Sequence, residues 1–325
     1  MPFFSAKVSD DFCGSVRLDK YIASLSNGMN RSKLKAGVSE ILINGKREKI
    51  SFKVKAGDQI DIEWEDNIPD DIMPENIPLD IIYEDENITV INKKQGMVTH
   101  PASGNWSGTL VNALLYHWGR SSVVQIKDGN VSEMLAARRP GIVHRLDKDT
   151  SGVIITAKNR DAEEWLQSQF KLHKLRKEYI VIVRGRPPAS AGDIRTQIIR
   201  DPKNRKRYKA VTGTEEGKSA ETLYHCLACY GNYSLLRIRL KTGRTHQIRV
   251  HMKYIGCPVL GDSIYGKKDE LFPDATLMLH ARELIIRLPD NKKFKIFRAD
   301  IPERFKNVIE ILRKKYPRIV PDSLK

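Results

Sequence analysis

The sequence predicts an α+β protein: a small N-terminal module of helices and a short sheet, then a larger domain built on a mixed, mainly antiparallel sheet with flanking helices. Three observations carry that expectation. At 325 residues the chain exceeds what one hydrophobic core usually supports, so two domains are the starting point. Residues 63–80, EWEDNIPDDIMPENIPLD, hold seven acids, three prolines and no Lys or Arg; that composition disfavours helix and central strand and marks a linker. Beyond it, long strand-type segments are separated by helices at irregular intervals, without the βαβ alternation of a parallel sheet. The boundaries are therefore drawn at 1–62, 63–80 and 81–325.

The elements follow in order. VRLDKYIASL sets Leu18, Ile22 and Leu25 at helical spacing, and RSKLKAGVSEILINGKR ends in Asn44-Gly45, a hairpin signal between short strands. DQIDIEW closes the module. After the linker, IIYEDENITVIN reads as two strands around a polar turn, and VIITA, YIVIVRG and LLRIRL read as further strands. Between them, DAEEWLQSQFKLH places Ala162, Trp165, Leu166, Gln169 and Phe170 on one helical face, and THQIRVHMKYIG aligns Ile248, Met252 and Ile255.

A net charge of +16 asks for a polyanionic partner. The charge is segregated: residues 171–209 carry thirteen Lys or Arg against three acids, so a basic stripe is expected rather than a uniform coat. The N-terminal residues turn acidic before any signal-peptide core appears, and no stretch approaches a membrane span of about 18 apolar residues. A cytoplasmic monomer is expected, with Cys13, Cys226, Cys229 and Cys257 reduced. GTEEGKS, residues 213–219, has one spacer too few for a phosphate-binding loop and would aim Glu215 and Glu216 at the phosphates. The single Cys-x-x-Cys of HCLACY lacks a second pair at zinc spacing. Neither a metal nor a cofactor is expected.

The segment GIVHRLDKDTSGVIITAKN, residues 141–159, is harder to explain by folding alone. Asp149, Thr150, Ser151 and Gly152 are ordinary turn residues. His144, Arg145 and Asp147 instead interleave with apolar Val143 and Leu146 before the turn begins. Taken singly, Asp147 reads as a buried salt-bridge partner, Tyr179 as core, and His246 and His251 as hydrogen-bonded framework.

Three segments together reverse the first two of those readings. HRLDKDTSG, KEYIVIV and TGRTHQIRVHM resemble the RluA/RluD-type family of RNA pseudouridine synthases, and the likeness continues through HPASGNWSGTLVNALLYH, GKSAETLY, CPVLGDSIYG and LMLHARELIIRLP. Residues 1–62 resemble an S4-type RNA-binding module through RLDKYIA, NRSKLK and INGKR. The combination is most similar to the RluD branch, which implies isomerisation of uridine in large-subunit ribosomal RNA.

The resemblance implies that Asp147 is the essential catalytic residue, that Tyr179 packs against the target base, that Arg249 pairs with Asp147, and that Arg145 fills the space a flipped base leaves. In the S4-like module it points to Arg17, Arg31, Lys33 and Lys46 as RNA contacts. Simple chemistry agrees with a single carboxylate. Uridine isomerisation breaks the C1′–N1 bond, turns the base and rejoins it through C5 without consuming water, whereas glycoside hydrolysis needs two carboxylates. Asp147 would either attack C1′ or remove a C2′ proton. A base in a stem must first leave its stack, at a cost of a few kcal/mol. A non-catalytic RNA-binding or ribosome-assembly factor would share the basic stripe, but has no need of an aspartate set beside Arg145.

Overall fold

The computed structural model describes residues 3–25, 38–64, 72–102, 105–121, 140–204, 206–290 and 293–321. In the N-terminal part, β1 (Phe3–Lys7), β3 (Val38–Ile43), β4 (Lys46–Arg47) and β6 (Gln59–Trp64) form an antiparallel sheet ordered β1-β6-β3-β4. β2 (Val16–Arg17) pairs with β5 (Lys53–Val54), and α1 (Leu18–Ser24) follows β2. Asn44 and Gly45 both take positive φ, as a type I′ hairpin turn requires. Leu18 and Ile22 on α1 bury against Ile41, Ile43, Val54, Ile60 and Ile62.

β6 continues to Trp64, past the boundary drawn at 62. The second half of the acidic segment is anchored: Ile72 packs on Val111 and Leu115, Asn112 Nδ2 donates to Met73 O at 2.7 Å, and the Glu75 carboxylate accepts from Gly108 N–H. Residues 72–75 thus pack at the helix that begins at Leu110, and Asp80 O accepts from Asn92 N–H.

The larger sheet has eleven strands, ordered β12-β11-β13-β14-β10-β15-β9-β8-β7, with β16 on β15 and β17 on β13. They are β7 (Ile81–Glu84), β8 (Ile88–Lys93), β9 (Ser151–Ala157), β10 (Arg176–Arg184), β11 (Ala191–Arg200), β12 (Tyr208–Val211), β13 (Lys218–Tyr230), β14 (Tyr233–Leu240), β15 (Leu279–Arg287), β16 (Phe294–Arg298) and β17 (Arg318–Ile319). Every pairing is antiparallel except β9 with β15, so the sheet is mixed and mainly antiparallel, as the sequence predicts. Among the described residues four helices flank it: α2 (Leu110–His117), α3 (Arg160–Lys171), α4 (Gln247–Tyr254) and α5 (Glu303–Lys315).

β9 is buried on both faces along its whole length. Alternate side chains therefore enter different cores: Ile154 joins Leu114, Leu146, Tyr179 and Ile248, while Val153, Ile155 and Ala157 join Ile88, Val90 and Leu166. Gly152 makes the parallel junction possible. It has φ +115°, and a Cβ there would stand 2.1 Å from Ala281 O on β15.

Candidate active site

The Asp147 turn is fastened from both sides. Upstream, the half-buried His144 ring stacks on Phe170 with centroids 4.4 Å apart, and its Nε2 accepts from Ile155 N–H at 3.0 Å. Burial, with Lys177 nearby, pushes His144 down to about 3, so it stays neutral. Thr99 Oγ1 donates to Leu146 O at 3.0 Å. Downstream, Thr150 N–H closes the turn on Asp147 O. Lys93, only 1% exposed, donates through Nζ to Lys94 O, Met97 O and Lys148 O at 3.0, 2.8 and 3.2 Å. Gln95 Nε2 adds a bond to Asp149 O. Polar residues beside a buried strand are thus largely the clamp that presents one carboxylate.

Arg249 approaches from α4. Two bonds of 2.8 Å join its Nε and Nη2 to Asp262, whose Oδ1 also accepts from the N–H groups of Ile264 and Tyr265. Its Nη1 reaches Asp147 Oδ2 at 3.6 Å. Burial alone would raise the Asp262 carboxyl, but its bonds to Arg249 hold it below the ordinary range. The principal partner of Arg249 is therefore Asp262, and Asp147 receives the remaining amino group. The sequence points to Arg249 with Asp147 and gives no sign of Asp262, because GDS reads as a simple turn.

α4 begins at His246, held in the left-handed region at φ 57°. Its Nδ1 shares a 2.9 Å bond with Tyr265 Oη and its Nε2 lies 3.8 Å from Asp147. Burial lowers its basicity, against the pull of Asp147. Gln247 pins the preceding loop by accepting from Thr242 Oγ1 and Arg244 N–H. His251 is framework: both ring nitrogens meet threonine hydroxyls, Thr222 at 2.8 Å and Thr196 at 3.0 Å.

Tyr179 comes from β10 opposite a bulge in β15, where Arg282 is the extra residue between the partners of Glu178 and Tyr179. β10 itself keeps regular register with β14 there, so its side chains still alternate between faces. Tyr179 belongs both to the core and to the pocket wall, and burial, helped by Asp147, keeps its hydroxyl protonated. These elements enclose a cavity of about 570 Å³ lined by Arg145, Asp147, Tyr179, Lys177, Arg244, His246 and Arg249 among others. Asp147 is its only carboxylate among the described residues, against five Lys or Arg. Arg145 is exposed at the rim.

The sequence-derived RNA contacts of the N-terminal part are less uniform. Lys46 is exposed on β4. Arg17 is tied through Nε to the buried carboxylate of Asp19 at 3.0 Å. Arg31 and Lys33 lie outside the described residues. Cys226 and Cys229 are buried free thiols, and no group of three metal-ligand side chains occurs among the described residues.

A basic pocket around one carboxylate, set on a mixed sheet, has the chemistry of an enzyme site for a polyanionic substrate. Residues 87–254 match the family model for RNA pseudouridylate synthase. The chain is 43% identical to ribosomal large subunit pseudouridine synthase D of Borreliella burgdorferi, over 90% of this chain and 88% of that one. It is 42% identical to an uncharacterized RNA pseudouridine synthase of Aquifex aeolicus, over 93% and 95%. The fold also matches human RNA pseudouridylate synthase domain containing 4, with a TM-score of 0.54 at 24% identity, covering 75% of this chain and 95% of that one. The chain belongs to the RNA pseudouridine synthases, isomerases that act on uridine in RNA, and within them to the RluA/RluD type.

Proposed function

We propose that the protein isomerises uridines of large-subunit ribosomal RNA, taking each target out of its stem into the pocket and rearranging the C1′ glycosidic bond with Asp147. The observation that carries this reading is a lone carboxylate facing a cavity of about 570 Å³, with an arginine held by a second aspartate behind it. One ionised carboxylate suits a reaction that keeps the base and excludes water. Relatives named for the large ribosomal subunit point to the same RNA. Tyr179 offers the ring on which the base stacks. Arg145, exposed at the rim, offers a planar guanidinium to occupy the vacated stack.

Residues 1–62 act in this proposal as an S4-like RNA anchor, with Lys46 on its hairpin facing solvent. Mapping pseudouridines in total ribosomal RNA from cells with and without the protein tests the assignment. Loss of specific large-subunit pseudouridines is expected. An unchanged large-subunit map, with changes only in small-subunit or transfer RNA, would overturn the choice of substrate.

A further inference from the structure

Among the described cations lining the pocket, Arg249 and Arg244 have visible partners, Arg145 and Lys171 are exposed to solvent, and Lys177 is half-buried without a partner. Lys93 is held by three carbonyl oxygens and Arg249 by Asp262. Lys177, on β10 two residues before Tyr179 and so on the same strand face, lines the same pocket. Its ammonium has no hydrogen-bond or carboxylate partner among the described residues, and its nearest aromatic neighbour is Phe170, 5.9 Å from the ring centroid. Burying an unpaired charge is costly. Burial, then the neighbouring Arg244, pushes Lys177 down to about 8.

Its surroundings leave room beside that ammonium. Gly243 lies under it, and a Cβ there would stand 3.3 Å from Lys177 Nζ; any larger residue would crowd the charge. Arg244 follows, fixed by Nε to Ser219 O at 2.9 Å and by its N–H to Gln247. Two cations thus line the same pocket, Arg244 near enough to weaken the basicity of Lys177, and the only carboxylate among the described lining residues is Asp147. A tetrahedral anion with several oxygens satisfies both, and a nucleic-acid strand entering the pocket carries one at every nucleotide.

We propose that Lys177 and Arg244 form a phosphate subsite on the pocket wall, gripping one phosphodiester of the RNA strand beside the target uridine. The subsite rests on the reading of the pocket as the uridine site. It fixes where the strand turns as the base leaves the stack, so its contribution lies in binding and positioning rather than in bond rearrangement.

The test uses the full-length protein, a substrate stem-loop, and a series of the same RNA with one phosphate at a time replaced by an uncharged methylphosphonate. Without one charge-assisted hydrogen bond to RNA, KM for K177M should rise by about tenfold, with the saturating single-turnover rate within about threefold of wild type. The log–log salt slope should fall by about 0.7, the value for one single-strand phosphate. K177R should restore most of the affinity. With wild-type protein, one methylphosphonate next to the uridine should reproduce the defect, and at that position K177M should lose nothing more. Additive losses at every position would overturn the subsite, as would a K177M that keeps its KM and salt slope. A K177M defect confined to the saturating rate would overturn it too, by placing Lys177 in the chemistry. If the wild-type protein binds this RNA but does not convert its uridine, the parent reading fails as well, and that outcome is read before any variant is compared.

Discussion

Arg249 grips Asp262 through two bonds of 2.8 Å and meets Asp147 with one amino group at 3.6 Å. Asp262 therefore sets the guanidinium plane, and the plane sets how closely Arg249 can approach the Asp147 carboxylate. Asp262→Asn frees the fork to close on Asp147 and compete with substrate for it. The single-turnover rate is expected to fall by about ten- to a hundredfold, or about 1.4–2.8 kcal/mol of barrier. Thermal stability should drop in the same variant, because a buried guanidinium loses its partner. A destabilised variant with an unchanged rate would make the pair purely structural.

Asp147→Ala and Asp147→Asn leave the basic wall of the pocket intact. RNA affinity is dominated by phosphate contacts, so it should stay within a few fold of wild type. Tritium release from C5-labelled uridine should fall by at least about a thousandfold, or about 4 kcal/mol. Appreciable turnover by Asp147→Ala would remove Asp147 from the chemistry.

Tyr179 separates its two roles by substitution. Tyr179→Phe keeps the ring and loses a hydroxyl that burial keeps protonated, so its rate loss should be small. Tyr179→Ala also loses stacking worth about 1–3 kcal/mol per base, and with it core packing. Equal rates for the two variants, both folded, would assign Tyr179 to the core alone.

What sequence reveals here depends on whether a residue's neighbours are local. β9, the hairpin at Asn44-Gly45 and helix α3 are legible because their signals are a continuous apolar run, turn chemistry and periodicity within a few positions. α5 carries such a signal too, with Phe305, Val308 and Leu312 on one buried face, as does β11, where Ile194, Thr196 and Ile198 alternate inward; neither is among the elements predicted from sequence. Lys93 and Asp262 are different. A lysine after a strand and an aspartate in Gly-Asp-Ser look like surface residues, and their burial arises only when distant segments converge. Asp147, Tyr179 and Arg249 stand out through a family resemblance; residue type alone favours bland roles for them.

Acid should destabilise the fold through His251 and His280. Both are fully buried, and burial lowers each to about 4 from an ordinary value of 6.5. Between those values the unfolded chain binds more protons than the folded one, so stability falls as pH drops from 6.5 toward 4. At pH 5 each histidine should cost about 2 kcal/mol relative to pH 7.5. Denaturant unfolding of wild type and His251→Asn at both pH values measures this. The variant is expected to be less stable at pH 7.5 and to lose less on acidification, because its asparagine cannot titrate. A pH dependence identical to wild type would mean that His251 is already protonated in the fold.

Removing residues 1–62 tests the division of labour between the two parts. The N-terminal sheet and α1 have their own apolar core, formed by residues from Val8 to Ile62, while Asp147, Tyr179 and Arg249 all lie beyond Ile72. If the N-terminal part is an RNA anchor, the truncated enzyme should bind large-subunit RNA more weakly, with the log–log salt slope reduced by about 0.7–0.9 for each phosphate it no longer neutralises. Chemistry should survive, because the elements that position Asp147, from Lys93 and Thr99 to Asp262, all remain. The defect should then appear in KM or in the choice of uridine, and high RNA concentration should restore the single-turnover rate. A truncated protein that stays folded by circular dichroism yet shows no turnover at saturating RNA would mean that the N-terminal part helps to build the site itself.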